Sequence, residues 1–154
     1  MATSLKQLIA DYLNEARLLQ VATSRDNSPW VCTVFFAPDP QMNLYWISLP
    51  SRRHSQEIRT NSAVSGAIVV PHTFGDPVRG LQFEGTAREI GDPKHAKQAL
   101  KHYAGRYKTP ADRVDAIVKN TDGHVCYCVS PSSFVLFDEV NYPNEPRQKI
   151  NINS

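Results

Sequence analysis

The residues best suited to chemistry are Ser51, Arg52 and Arg53, which lie where the apolar run LYWISL gives way to PSRRHSQEIRTN. Guanidinium groups bind phosphate through planar, two-pronged hydrogen bonds, and the free backbone N–H groups that open a helix add fixed positive polarity at the same spot. On this reading Arg52 and Arg53 supply charge, and Ser51 or Ser55 caps the helix or touches the phosphate. A solvated turn carrying two surface arginines is the competing reading, and the local residues alone do not separate the two.

No other constellation competes for a reaction. His124, Cys126 and Cys128 form H-x-C-x-C, but alternate residues of a strand stand roughly 7 Å apart along one face. Such a row cannot close on a metal whose ligands sit at about 2 Å, so the cysteines are expected as reduced, buried core residues and no metal is expected. Ser132 and Ser133 lack a paired histidine, and His95 and His102 read as a surface stripe of one helix, so no catalytic side chain is assigned. Trp30, Phe35, Phe36, Tyr45 and Trp46 could wall a planar ring, although packing in a core or between subunits is the usual use of strand aromatics.

These residues need a scaffold, and 154 residues suffice for one domain that buries roughly two thirds of its unfolded surface. A net charge of +2 argues against nucleic acid as a partner. Lys6, Asp11, Glu15 and Arg17 interrupt the first apolar pattern as no signal peptide would, and no run is long enough to span a bilayer, so a cytoplasmic protein without membrane contact is expected.

Leu5, Leu8, Ile9, Tyr12 and Leu13 recur at helical spacing after a cap at Thr3 or Ser4. Strands are expected over residues 18–23, 30–37 and 44–49, with a turn over 24–29 between the first two. A short helix over 54–60 should end on a left-handed Asn61, followed by strands over 63–70 and 79–90 with Gly85 as a bulge or a kink. Asp92 and Pro93 open a helix to about Tyr107, and Thr109, Pro110 and Asp112 open another that ends near Gly123. The sixth strand covers 124–129 and 134–140, interrupted by Pro131. The expected domain is therefore residues 1–140, with 141–154 an extended tail that orders only on a partner surface. Six antiparallel strands with a leading helix and a helical insert before the last strand give a mainly β fold, closed or nearly closed as a barrel so that few sheet edges stay open. The G-x-G-x-x-G dinucleotide fingerprint is absent.

The order helix, hairpin, third strand, S-R-R, short helix and two further strands resembles the split-barrel flavoproteins related to pyridoxamine 5′-phosphate oxidase. SRRHSQEIRTNSAV with VRGLQFEGTAREI is most similar to the small YhbP-like branch. The resemblance implies a split barrel that forms a homodimer, with FMN held in two equivalent clefts between the subunits. It places Ser51, Arg52 and Arg53 on the phosphate and the backbone of Val31, Cys32 and Thr33 along the isoalloxazine ring. Trp46 and Ile47 stand where the oxidase has a Tyr-Thr pair, Ser48 can replace the lost hydroxyl, and Gln82, with Arg79 beside it, is the candidate to approach the ring. Val31 replaces an arginine of the oxidase, and the oxidase's C-terminal arginine and histidine motif is absent, which argues against pyridoxamine phosphate as substrate. The implied function is an FMN-dependent oxidoreductase acting on a small molecule, with the insert over residues 92–120 shaping the cleft mouth. The alternatives are a non-catalytic binder of flavin, deazaflavin or haem, and, less favoured by charge, a nucleic-acid-binding barrel.

Overall fold

The computed structural model describes residues 2–152. Its core is one antiparallel sheet of eight strands: β1 (Leu18–Arg25), β2 (Ser28–Phe35), β3 (Ala37–Pro38), β4 (Leu44–Ser48), β5 (Ala63–Ile68), β6 (Arg79–Glu89), β7 (Val125–Asp138) and β8 (Arg147–Asn151). The order is β2-β1-β5-β6-β7-β4-β3, with β8 also on β7. β7 pairs with β6 along its length, and its other edge takes β4 at residues 125–129 and β8 at 133–137. One long strand thus serves two partners in succession, and the sheet curls into a half-barrel. Four helices accompany it: α1 (Leu5–Glu15), α2 (Arg53–Thr60), α3 (Pro93–Tyr107) and α4 (Ala111–Val118).

Local chemistry sets most of these elements. The Ser4 hydroxyl accepts from the Gln7 N–H and caps α1, whose Ile9, Tyr12 and Leu13 are buried against the sheet. The β1–β2 turn is tighter than the sequence suggested: Asp26 and Asn27 alone form it, both at positive φ (50° and 59°), as a two-residue hairpin of matching twist requires. Asp92 caps α3 through the His95 N–H with Pro93 in the first turn, as expected. Inside the barrel Leu19, Val21, Phe36, Trp46, Ile68 and Phe134 pack in one cluster. A second cluster joins α3 and α4 to the sheet, and Cys126 and Cys128 are buried in it; burial pushes the Cys126 thiol up to about 12.

Four further expectations need correction. The last long strand is continuous through Pro131, which lies opposite Gly85 where the β6–β7 register shifts. A bulge tolerates a residue without an N–H, and Gly85 leaves room for it. Residues 147–151, expected as tail, pair with β7 of their own barrel, and Ile150 and Ile152 pack on its core. Asn61 is extended (φ −142°, ψ 105°) and not left-handed, and its side-chain amide donates to the carbonyl and hydroxyl of Ser24. Finally, α4 stops at Val118 and not near Gly123, because Asn120 already turns left-handed (φ 56°). Among the described residues no helix is long and apolar enough to cross a membrane.

The bulge gives a test. A Cβ on Gly85 would lie 2.3 Å from the Ser130 carbonyl oxygen and 2.7 Å from Pro131 Cα, both backbone atoms that cannot rotate away. Gly85→Ala should lower stability by about 1–3 kcal/mol in urea unfolding, whereas Gly91→Ala, which meets no atom within 4 Å, should change it little.

Candidate cofactor cleft

The junction of β4 and α2 builds the site. Arg52 is the N-cap residue of α2, extended at φ −68° and ψ 148°, and no side chain caps the helix start. Its guanidinium is exposed and has no hydrogen-bond partner among the described residues. Arg53 turns the other way. Its Nε donates to Glu57 Oε1 at 2.8 Å and its Nη2 to Ser28 Oγ at 3.1 Å, and its Cζ lies 4.5 Å from the Trp30 ring centroid. The Glu57 carboxylate is buried and also accepts from Thr23 Oγ1 at 2.5 Å. That hydroxyl first, then Arg53, holds Glu57 below the usual carboxylate range against the opposing effect of burial. The two adjacent arginines are therefore placed differently: Arg53 clamps α2 to the β1–β2 hairpin, and the Arg52 side chain has no partner among the described residues.

Arg52 opens on a cleft of about 410 Å³ that also takes Thr33 and Phe35 of β2, Ile47 and Ser48 of β4, His54, and Tyr103, Arg113 and His124 from the insert side. Ser48 Oγ and His54 Nε2 lie 2.8 Å apart. Burial, then the Arg52 charge, lowers the His54 pKa from its ordinary 6.5, so the ring is neutral at pH 7. A second groove, about 490 Å³, lies on the outer face of the sheet and is lined by Val31, Gln82, Gln20, Glu84 and Lys149 among others. The same face carries Leu18, Phe35 and Val31, at 39, 55 and 58% exposure, with Leu18 opposite Phe35 and Ala22 opposite Val31 in the β1–β2 ladder.

The structure thus brings Thr33, Ile47, Ser48 and Arg52 together and sets Val31 and Gln82 in a different groove of the same chain. Ser51 lies in the exposed turn before α2, and its carbonyl accepts from Gln56 Nε2. The Trp46 side chain is fully buried and stacks on Tyr127 at 5.4 Å. Cys32 packs toward the barrel core, and burial pushes its thiol up to about 11. Arg79 bonds Glu15 Oε2 at 3.0 Å and stacks over Tyr12, so it lines neither cavity. His54, Arg113 and His124 were missed. His54 follows the arginine pair directly and could have been included; Arg113 and His124 give no local signal and reach the cleft only through the packing of the insert.

The curled antiparallel sheet, the helix α2 opening on the cleft beside β4 and the leading helix α1 define a split β-barrel. The chain belongs to the pyridoxamine 5′-phosphate oxidase family, whose family model matches residues 5–124. It is 29% identical over 100 residues to the UPF0306 protein PM1958 of Pasteurella multocida, a stretch covering 64% of this chain and 66% of that protein, just under two thirds of its length. Among solved structures, the conserved hypothetical protein Rv2991 of Mycobacterium tuberculosis shares the fold with a TM-score of 0.75 at 20% identity, over 92% of this chain and 89% of that one. HutZ, the haem storage protein of Vibrio cholerae, shares it with a TM-score of 0.67 at 18% identity, over 84% and 91%.

The clamp predicts its own failure. Arg53→Ala leaves the Glu57 carboxylate buried with only Thr23 as partner and should cost about 1–3 kcal/mol in urea unfolding, toward the lower end because Arg53 is 42% exposed. A depressed carboxylate pKa contributes stability that is complete above its unfolded value and is lost as pH falls through the folded one. The wild-type urea midpoint should therefore drop below about pH 4.3, the unfolded glutamate value, and drop less steeply in Glu57→Gln.

Proposed function

We propose that this protein is a homodimeric flavoprotein that binds FMN between its subunits and acts as an oxidoreductase on a small molecule. The observation that carries this reading is the division of labour between the two arginines: Arg53 is held by Glu57, while Arg52, without a partner of its own, stands at the uncapped start of α2 inside a cleft. A guanidinium together with free N–H groups at a helix start is the donor set that a phosphate monoester requires. Thr33 and Ser48 add hydroxyls for a polyol chain, and the neutral His54 ring keeps Ser48 oriented without adding charge. The bound isoalloxazine would supply the redox chemistry. The chain's part is then to anchor, orient and exclude water.

Two further observations support a shared site. Val31 and Gln82 lie on the outer sheet face and not in the Arg52 cleft, as residues would if they served the cofactor of a second copy. The exposed Leu18, Val31 and Phe35 on that face are the kind of apolar patch that association covers. Membership of the pyridoxamine 5′-phosphate oxidase family favours flavin over haem. The oxidase's substrate-binding arginine and histidine motif has no counterpart in residues 141–152, which argues against pyridoxamine phosphate as the substrate.

The untreated protein should show a flavin absorption spectrum, bleached when a suitable donor is added; a Soret band in its place would reject FMN. Arg52→Ala should weaken FMN binding about tenfold or more, as the loss of about 1.5–3 kcal/mol in a charge-assisted hydrogen bond requires, while leaving riboflavin affinity unchanged. Fluorescence quenching measures both. Val31→Asp with Leu18→Asp, neither of which lines the Arg52 cleft, should convert a dimer into a monomer in light scattering and lower FMN affinity with it, and a wild-type monomer that binds FMN at full strength would refute the shared site.

A further inference from the structure

The opposite side of α3 closes another cavity, of about 560 Å³, which shares no lining residue with the cofactor cleft. Its floor is one row across three strands: Tyr45 of β4 lies opposite Cys128 of β7, and Cys128 lies opposite Arg88 of β6. His95, Gln98 and His102 of α3, at helical spacing, form the roof. The rings of Tyr45 and His102 are nearly parallel, 7° apart with centroids at 5.9 Å. The Cys128 thiol is sealed beneath, and burial raises its pKa while the Arg88 charge opposes that rise. A neighbouring cavity of about 370 Å³ shares Asp39 and His102 with this one and reaches Asn14 at the end of α1.

Each carboxylate on the wall already has its donors. Asp39 accepts from the backbone N–H groups of Gln41 and Asn43, from the Asn43 amide and from the Tyr45 hydroxyl. Glu89 accepts from Arg59 and from the Tyr127 hydroxyl, and Asp92 caps α3 and pairs with the His95 ring. Arg88, by contrast, is exposed and its guanidinium reaches no oxygen acceptor among the described residues. The Gln98 amide and the His102 ring are also without hydrogen-bond partners there. The roof adds charge of the same sign: α3 contains no carboxylate between Pro93 and Tyr107, and Lys94, Lys97 and Lys101 are exposed along it. A solvated arginine on a strand is the simpler account of Arg88. It does not explain why the one unmatched cation stands beside an aromatic wall, in a space within the range of small-molecule sites, roughly 300–1,000 Å³. One free guanidinium suits one negative charge, and its planar fork fits the two oxygens of a carboxylate.

We propose that this cavity binds a small aromatic carboxylate, with the carboxylate on Arg88, the ring against the Tyr45–His102 pair and the Gln98 amide as a further polar contact. The neighbouring cavity leaves room for a substituent on that ring. The site stands apart from the flavin reading, because α3 lies between the two spaces.

The test is a two-dimensional NMR titration of the isotope-labelled protein, flavin-free and loaded with FMN, with benzoate, acetate and benzylamine as probes. Benzoate should move the resonances of the Arg88 Nε–H, the Cys128 N–H and the Gln98 side-chain amide, saturate with a Kd on the order of 1 mM as so small a ligand allows, and leave the amides of Arg52 and Ser48 in place. Arg88→Gln should weaken it about tenfold, the loss of one charge-assisted hydrogen bond, and His102→Ala about threefold, the loss of a ring contact. Lys97→Gln, the same change of charge on α3 outside the cavity, should alter the affinity by no more than about twofold. Arg88 is exposed, so its variant should keep the wild-type thermal midpoint, and His102→Ala gives an independent reading. The proposal is overturned if benzylamine binds as tightly as benzoate, since the carboxylates would then govern the site; if acetate does, since no ring would then be read; or if Arg88→Gln binds as the wild type does. It is equally overturned if no shift saturates up to about 20 mM benzoate, or if the shifts centre on Arg52 and Ser48, which would put the anion in the cofactor cleft. Should FMN not bind, the flavin reading fails by itself and the flavin-free titration still decides this site.

Discussion

The cleft depends on one buried carboxylate. Glu57 is placed under the sheet with almost no exposure, and a charge so placed persists only if its oxygens are satisfied. Thr23 from β1 satisfies one oxygen and Arg53 the other, and Arg53 in turn reaches Ser28 and the face of Trp30 on β2. A single ionised group therefore fixes α2 against both strands of the first hairpin. It also sets the direction of the preceding residue. With Arg53 folded back toward the hairpin, Arg52 at the helix start points into the cleft, and the positive end of α2 coincides with a free guanidinium.

The insert completes the cavity from the other side. α3 and α4 pack on β7 through Leu100, Ile117, Cys126 and Cys128, an apolar contact that involves neither Arg113 nor His124. The apolar cluster sets the position of the helices, and the polar groups at its margin can vary without disturbing the barrel.

What could be read from the sequence and what could not divides by the range of the interactions. The Ser4 cap, the Asp92-Pro93 helix start, the Gly85 bulge and the Leu18–Phe35 hairpin are decided by neighbours in the chain, and each was legible. Of the candidate site, Arg52 was legible from the S-R-R pattern itself, and Thr33, Ile47 and Ser48 only through the resemblance to the oxidase. The role of Arg53 went unread although Glu57 stands four residues on, at the spacing of a helical ion pair, where Arg52 has Gln56; its other partners, Ser28 and Trp30, are more than twenty residues away. β8 escaped notice because RQKIN holds one apolar residue, Ile150, so its pairing with β7 is settled by a partner strand and not by alternation. Pro131 reads as a break until the glycine opposite it is known.

The two-partner arrangement of β7 has a consequence for how the chain acquires its shape. β4 at residues 44–48 finds its ladder partner only at 125–129, so the strand that delivers Arg52 to the cleft waits unpaired on that edge until nearly the whole polypeptide has left the ribosome. Loop closure over such a separation is slow compared with hairpin formation, and the β1–β2 hairpin with its carboxylate clamp can form long before it. During that interval the apolar edge of β4 is open to pairing with other nascent chains, the exposure through which folding intermediates aggregate.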